Sequence, residues 1–267
     1  MEHQLSYNEY LAVAELLRLQ RPKSNPPHHD EMLFIIIHQT YELWFKLILH
    51  EFDAVKEDLC RDDWFTAERR LWRVVEIQRV LVSQIHILET MPPVNFLAFR
   101  DLLKPASGFQ SSQFREMEFL LGLKDRRVLG CFNDDLQAKA QLERRLEEST
   151  LADEFYKAMA RRGFQVAPPP QRSSFEWQSW LERTVSELVK LYVEEPADDA
   201  VYRVAERLIE VDENLSLWRY HHMKIVERII GSRIGTGGSE GVGYLKHTLG
   251  YKAFPELWEV RSRIEFS

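Results

Sequence analysis

The amino-acid sequence predicts an all-α fold, a helical bundle with two or three long antiparallel helices at its centre, in one domain over residues 1–267. Three observations predict it. Apolar residues recur at helical spacing through most of the chain, and period-two alternation is almost absent. Glycine is scarce, with six of the eleven glycines crowded between Gly231 and Gly243, so long stretches run without a breaker. Aromatic residues make up 12% of the chain, seven of them Trp, which suits helices packed through rings.

Residues 7–20, YNEYLAVAELLRLQ, read as a short amphipathic helix with Tyr10, Val13, Ala14 and Leu17 on one face. RPKSNPP at 21–27 breaks it. Residues 28–60 form the helix around which the rest is arranged. Asp30 and Glu31 give it an acidic first turn, and no Gly or Pro interrupts it. Phe34, His38, Tyr41 and Phe45 make one stripe; Ile37, Trp44, Ile48 and Phe52 make a second. A helix apolar nearly all round belongs at the centre of a protein. Asp62 or Asp63 caps a third helix running to about Met91, where Pro92 and Pro93 stop it. A short helix at 95–103, a turn at Lys104–Gly108 and a helix to Gly122 follow. Residues 124–148 are polar and read as an exposed loop and helix. Thr150 with Asp153 makes a capping box for a helix through Arg162. APPPQRSS at 167–174 is a surface connection, and Ser173 with Glu176 caps a helix over 175–194. A helix over 198–231, the Gly-rich loop, YLKHTL and PELWEVRSRI complete the chain.

The totals narrow the function. A net charge of −7 with Lys and Arg dispersed among acids argues against nucleic acid as partner. Cys60 and Cys131 lie in no CxxC pair, which argues against a zinc–thiolate site and for a reducing compartment. The N-terminus MEHQLSYNEY has no apolar signal region, and no stretch reaches ~18 uninterrupted apolar residues. The expectation is a cytoplasmic protein with no membrane partner.

The chain has nine histidines. No HExxH zinc motif occurs, and no ExxH of the kind a carboxylate-bridged di-iron bundle needs on two helices. His28–His29 reads as solvated. GSRIGTGGSEGVG follows a helix rather than a strand and lacks the Lys of a phosphate loop. It reads as a loop that moves or lets backbone approach a ligand closely. His38 and the His221–His222 pair remain. Histidines on separate helices of an all-α protein suit a haem pocket, and two core histidines would give the same spacing.

FIIIHQTYELWFKLILHE, FLAFRDLLKPASGFQSSQFREMEFLLG and WRYHHMKIVERIIGSRIGTGGSEGVGYL resemble, in order and spacing, three signature stretches of the tryptophan 2,3-dioxygenase family. SYNEYL resembles that family's start. The resemblance runs from about residue 5 to 262 and is weakest over 124–200. It implies an all-helical homotetramer that uses haem b and O2 to open the indole C2–C3 bond of L-tryptophan, giving N-formylkynurenine. It implies that His222 is the proximal iron ligand and His38 the distal histidine facing the indole N–H. His221 stands where the family commonly has another residue. Arg100 would pair with the substrate carboxylate, and Phe34 and Phe96 would line the indole site. Thr236 would contact the substrate ammonium and carboxylate, and Ser107 and Gly108 would lie near the haem edge. Tyr7, Tyr10 and Leu11 would reach into a neighbouring subunit's pocket, the N-terminal segment being exchanged between subunits. Indole N–H can only donate and is a very weak acid, so an orienting role is expected for His38 rather than that of a base. A relative acting on a substituted tryptophan, or inserting one oxygen to give an oxindole-type product, would carry nearly the same residues. A haem-based sensor would need no amino-acid clamp.

Overall fold

The structure is a computed structural model and describes residues 4–233 and 242–265. Among the described residues every regular element is a helix. They are α1 (Tyr7–Tyr10), α2 (Val13–Leu16), α3 (His29–Cys60), α4 (Trp64–Leu88), α5 (Pro93–Arg100), α6 (Ser112–Leu120), α7 (Leu136–Glu147), α8 (Leu151–Arg161), α9 (Trp177–Glu194), α10 (Ala200–Ile230), α11 (Val242–Thr248) and α12 (Pro255–Glu259).

Three long helices make the frame. The turn after Cys60 is short, so α4 folds back antiparallel on α3. Tyr41 donates its hydroxyl to the carbonyl of Leu81, and Gln84 donates to that of Ile37. α10 lies along the other side of α4 and runs parallel to it. Arg207 meets Glu68, Gln78 donates to the carbonyl of Val211, and His86 packs on His221, so positions rise together on the two helices. The segment from α5 through α9 supplies the long return that a parallel neighbour requires. The stripe Ile37, Ile48, Phe52 is 1–4% exposed and forms the core with Leu71, Val74, Val75 of α4 and Val204, Leu208, Val211 of α10. By length and composition α3 alone among the described helices could cross a membrane. It packs on α4, α6 and α8, and Met32, Ile36 and Leu43 stay exposed.

Side chains close the helix ends largely where the sequence places them. Asp63 accepts from Thr66 N and caps α4, and Thr150 and Asp153 form the expected capping box of α8. Four expectations are corrected. Residues 7–20 form two short helices rather than one, broken at Ala12, whose φ is +50°. Of the supposed apolar face only Val13 is partly buried while Tyr10, Ala14 and Leu17 are exposed, and a helix this short needs tertiary contacts to persist. His28 is not simply solvated. Its Nδ1 accepts from Asp30 N as the N-cap of α3, and its ring packs on Phe99 at 5.5 Å. Ser173 does not cap α9; Glu176 is the N-cap position, without a side-chain hydrogen bond. The stretch 124–148 is more anchored than its polarity suggests. Phe132, Leu142 and Leu146 bury themselves with Phe119, and Arg145 forks onto Asp53 of α3 at 2.7 and 2.6 Å.

Candidate active site

The first stripe of α3 faces a cavity of about 270 Å³ lined by α3, α4, α5, α6, α10 and α11. Phe34, His38, Tyr41 and Phe45 all line it, so the i, i+4, i+7, i+11 spacing delivers one wall. Phe96 and Arg100, one helical turn apart on α5, line a second wall. Phe34 and Phe96 are in ring contact at 5.5 Å, and Phe34 lies 4.1 Å from the His38 ring. Ser107 and Gly108 border the cavity in the turn before α6.

His38 bonds through Nδ1 to the carbonyl of Phe34 at 2.7 Å. A carbonyl only accepts, so Nδ1 carries the proton and Nε2 of the neutral ring keeps a lone pair. His38 is an exposed residue and it lines the cavity. Burial pushes its pKa below the ordinary value, against the opposing pull of the Phe34 carbonyl and Glu42. His38 therefore makes the backbone hydrogen bond of a core histidine through one ring nitrogen while lining the cavity as an exposed residue.

His222 lines the same cavity from α10, with Trp218 flat against it at 5.0 Å and 13°. Burial, and then the proximity of His38, lower its pKa to about 4. It is a neutral imidazole, and no hydrogen bond to it occurs among the described residues. His221 points elsewhere, packing on His86 at 5.0 Å outside the cavity. The chain thus presents one of its adjacent histidines to the cavity and one to the bundle exterior.

The sequence profile of the tryptophan 2,3-dioxygenase family matches residues 1–190 and 179–264. A protein of Herpetosiphon aurantiacus named tryptophan 2,3-dioxygenase is 43% identical over 264 residues, 98% of this chain and 99% of its own length. The chain belongs to the tryptophan 2,3-dioxygenase family. Proteins of the same name from Anaeromyxobacter sp. strain K and Serratia proteamaculans strain 568 are each 42% identical over 97% of this chain, covering 96% and 93% of their own lengths.

Of the residues that the family resemblance singles out, the structure brings His38, Phe34, Phe96, Arg100, Ser107, Gly108 and His222 to one cavity. Tyr7, Tyr10 and Leu11 lie apart from it on the N-terminal arm, where Tyr7 and Tyr10 are 75% and 74% exposed. Thr236 lies outside the described residues.

Sequence reasoning missed a charged wall. Arg115 donates to Glu118 at 2.5 Å, and Arg219 donates to the other oxygen of Glu118 at 2.7 Å. All three are buried, at 6, 7 and 4% exposure, and all border the cavity. Arg115 Nε and Arg219 Nη1 have no hydrogen-bond partner among the described residues. Two guanidinium groups on one carboxylate leave a net positive wall with donors to spare. Nothing in the sequence flags this. Arg115 and Glu118 at i, i+3 look like an ordinary surface helix pair, and Arg219 sits on another helix, 101 residues from Glu118.

The donor set fits haem. A neutral imidazole with an available lone pair suits iron, and the aromatic and aliphatic walls suit a flat apolar macrocycle. The Arg115–Glu118–Arg219 wall suits carboxylates at one edge of such a group.

Proposed function

We propose that this chain is a haem-dependent tryptophan 2,3-dioxygenase, cleaving the indole C2–C3 bond of L-tryptophan with O2 to N-formylkynurenine. The observation that carries the reading is the convergence in one cavity of neutral His222 from α10, neutral His38 from α3 and Arg100 from α5.

His222 would hold the haem iron, with Arg115 and Arg219 toward the haem carboxylates and Ser107 and Gly108 at its edge. Ferrous haem, when bound, supplies O2 binding and activation. The chain's residues supply orientation. Arg100 offers a planar, permanently charged fork to the substrate carboxylate. Nε2 of His38 accepts from the indole N–H, which fixes how the ring lies without removing the proton. Phe34 and Phe96 hold the ring by shape and keep water from the reacting atoms. Thr236, by the family resemblance, would contact the substrate ammonium and carboxylate.

The working unit is a cytoplasmic homotetramer in which the arm carrying Tyr7, Tyr10 and Leu11 enters a neighbouring subunit's pocket. The exposure of Leu5, Tyr7, Tyr10, Leu11 and Leu17 on one short arm supports this, because such a run of apolar side chains is stable against a partner surface and not in water.

O2 consumption by the reduced, haem-loaded protein tests the reading. It is expected to depend on L-tryptophan and to fall sharply in Arg100→Ala. Consumption that ignores tryptophan would point to a sensor-like haem protein. Consumption only with substituted tryptophans would move the chain to a specialised branch of the family.

A further inference from the structure

α11 forms the cavity wall with Tyr244, Leu245 and Thr248, and Tyr244 packs on Phe109 at 4.7 Å. It has seven residues and packs mainly on α10. A helix of that length does not hold itself, so its position depends on how its ends are anchored.

The anchor after α11 is built from two side chains. Asp212 of α10, 1% exposed, accepts from the N–H of Ala253 at 2.8 Å and from that of Phe254 at 3.2 Å. It also accepts from Trp258 Nε1 at 2.8 Å. From the opposite side Arg172, in the connection between α8 and α9, donates Nη1 to the carbonyl of Lys252 at 2.6 Å and Nη2 to that of Ala253 at 2.7 Å. Two consecutive peptide groups, 252–253 and 253–254, are therefore each held at N–H by the carboxylate and at C=O by the guanidinium. Arg172 rests over the Trp177 ring at 5.6 Å, which steadies the fork, and the buried Asp212 carboxylate across the strap partly offsets the cost of burying its charge. This is a cation and an anion with backbone threaded between them. Arg forms such a grip because its two terminal nitrogens are coplanar; Lys offers one point charge.

The geometry points to Arg172 and Asp212 as positioning residues for the α11 wall of the active site: they clamp residues 252–254 and thereby set how far Tyr244, Leu245 and Thr248 reach into the cavity. This rests on the function proposed above. Asp212 is buried and its replacement endangers folding, so the decisive variant is Arg172→Gln, at an exposed position. Arg183→Gln, removing another exposed arginine that among the described residues donates to Ser179 alone, is the control.

Hydrogen exchange of the haem-loaded proteins over residues 244–254 is the first readout, and the split between KM and kcat for L-tryptophan is the second. In Arg172→Gln the exchange is expected to quicken and KM to rise about tenfold, in the range that residues coupled to a site without touching its ligand produce, with kcat and the Soret band little changed. Arg172→Lys is expected to restore little, and Arg183→Gln to match the wild type. Wild-type exchange in Arg172→Gln, or a lowered melting temperature with KM unchanged, would overturn the clamp. If the wild type fails to turn over tryptophan, the proposed function falls, while the exchange comparison still decides whether the clamp holds α11.

Discussion

At the residue scale the account turns on ring nitrogens. His38 can orient an indole because its Nδ1 is committed to the Phe34 carbonyl, leaving Nε2 as acceptor. In His38→Ala the haem spectrum is expected to persist, while kcat/KM falls about 10²-fold, the scale of a misplaced reactant. Complete loss of turnover with normal tryptophan binding would instead make His38 a proton-transfer group. Burial keeps His38 neutral, so its acceptor role is present at neutral pH and is lost only as pH falls below the ordinary imidazole range. Arg100 bears the substrate carboxylate in this scheme. Arg100→Lys keeps the charge but not the fork, and KM is expected to rise roughly 10- to 100-fold. An unchanged KM would place the carboxylate elsewhere.

At the scale of elements, much was legible and some was not. The long helices, their caps at Asp63 and Thr150, and the stripe Phe34–His38–Tyr41–Phe45 follow from spacing alone, because a 3.6-residue period fixes which side chains share a face. The break at Ala12 was not legible, because whether a short amphipathic segment stays helical depends on a surface to pack against. The parallel run of α4 and α10 and the Arg115–Glu118–Arg219 wall were hidden for a related reason: both depend on pairings across more than 100 residues. Glu256 on α12 is another such case. It is buried, accepts from Tyr156 at 2.8 Å, and burial raises its pKa to about 7. A carboxyl raised in the folded state favours folding fully below its unfolded value, and that contribution is lost as pH rises through 7. Glu256→Gln keeps the acceptor and removes the titration. The variant is expected to gain stability over the wild type between pH 5 and pH 8, by at most about 3 kcal/mol. Parallel stability–pH curves for the two proteins would show that Glu256 does not titrate in this window.

At the scale of the whole molecule, the bundle offers a frame of three long helices, sets α5 and α11 around its cavity, and leaves the N-terminal arm apart from it. The arm exposes Leu5, Tyr7, Tyr10, Leu11 and Leu17. Removing residues 1–12 is expected to lower the solution mass of the assembly and raise KM for tryptophan, with haem still bound. An unchanged mass and KM would show that the arm does not complete the site. The central claim, that this cavity inserts both atoms of O2 into tryptophan, is tested most directly by the mass spectrum of the product formed by reduced, haem-loaded protein from L-tryptophan and ¹⁸O₂. The account predicts a ring-opened product carrying two labelled oxygens. A product with one labelled oxygen and an intact C2–C3 bond, or no product with haem bound, would contradict it.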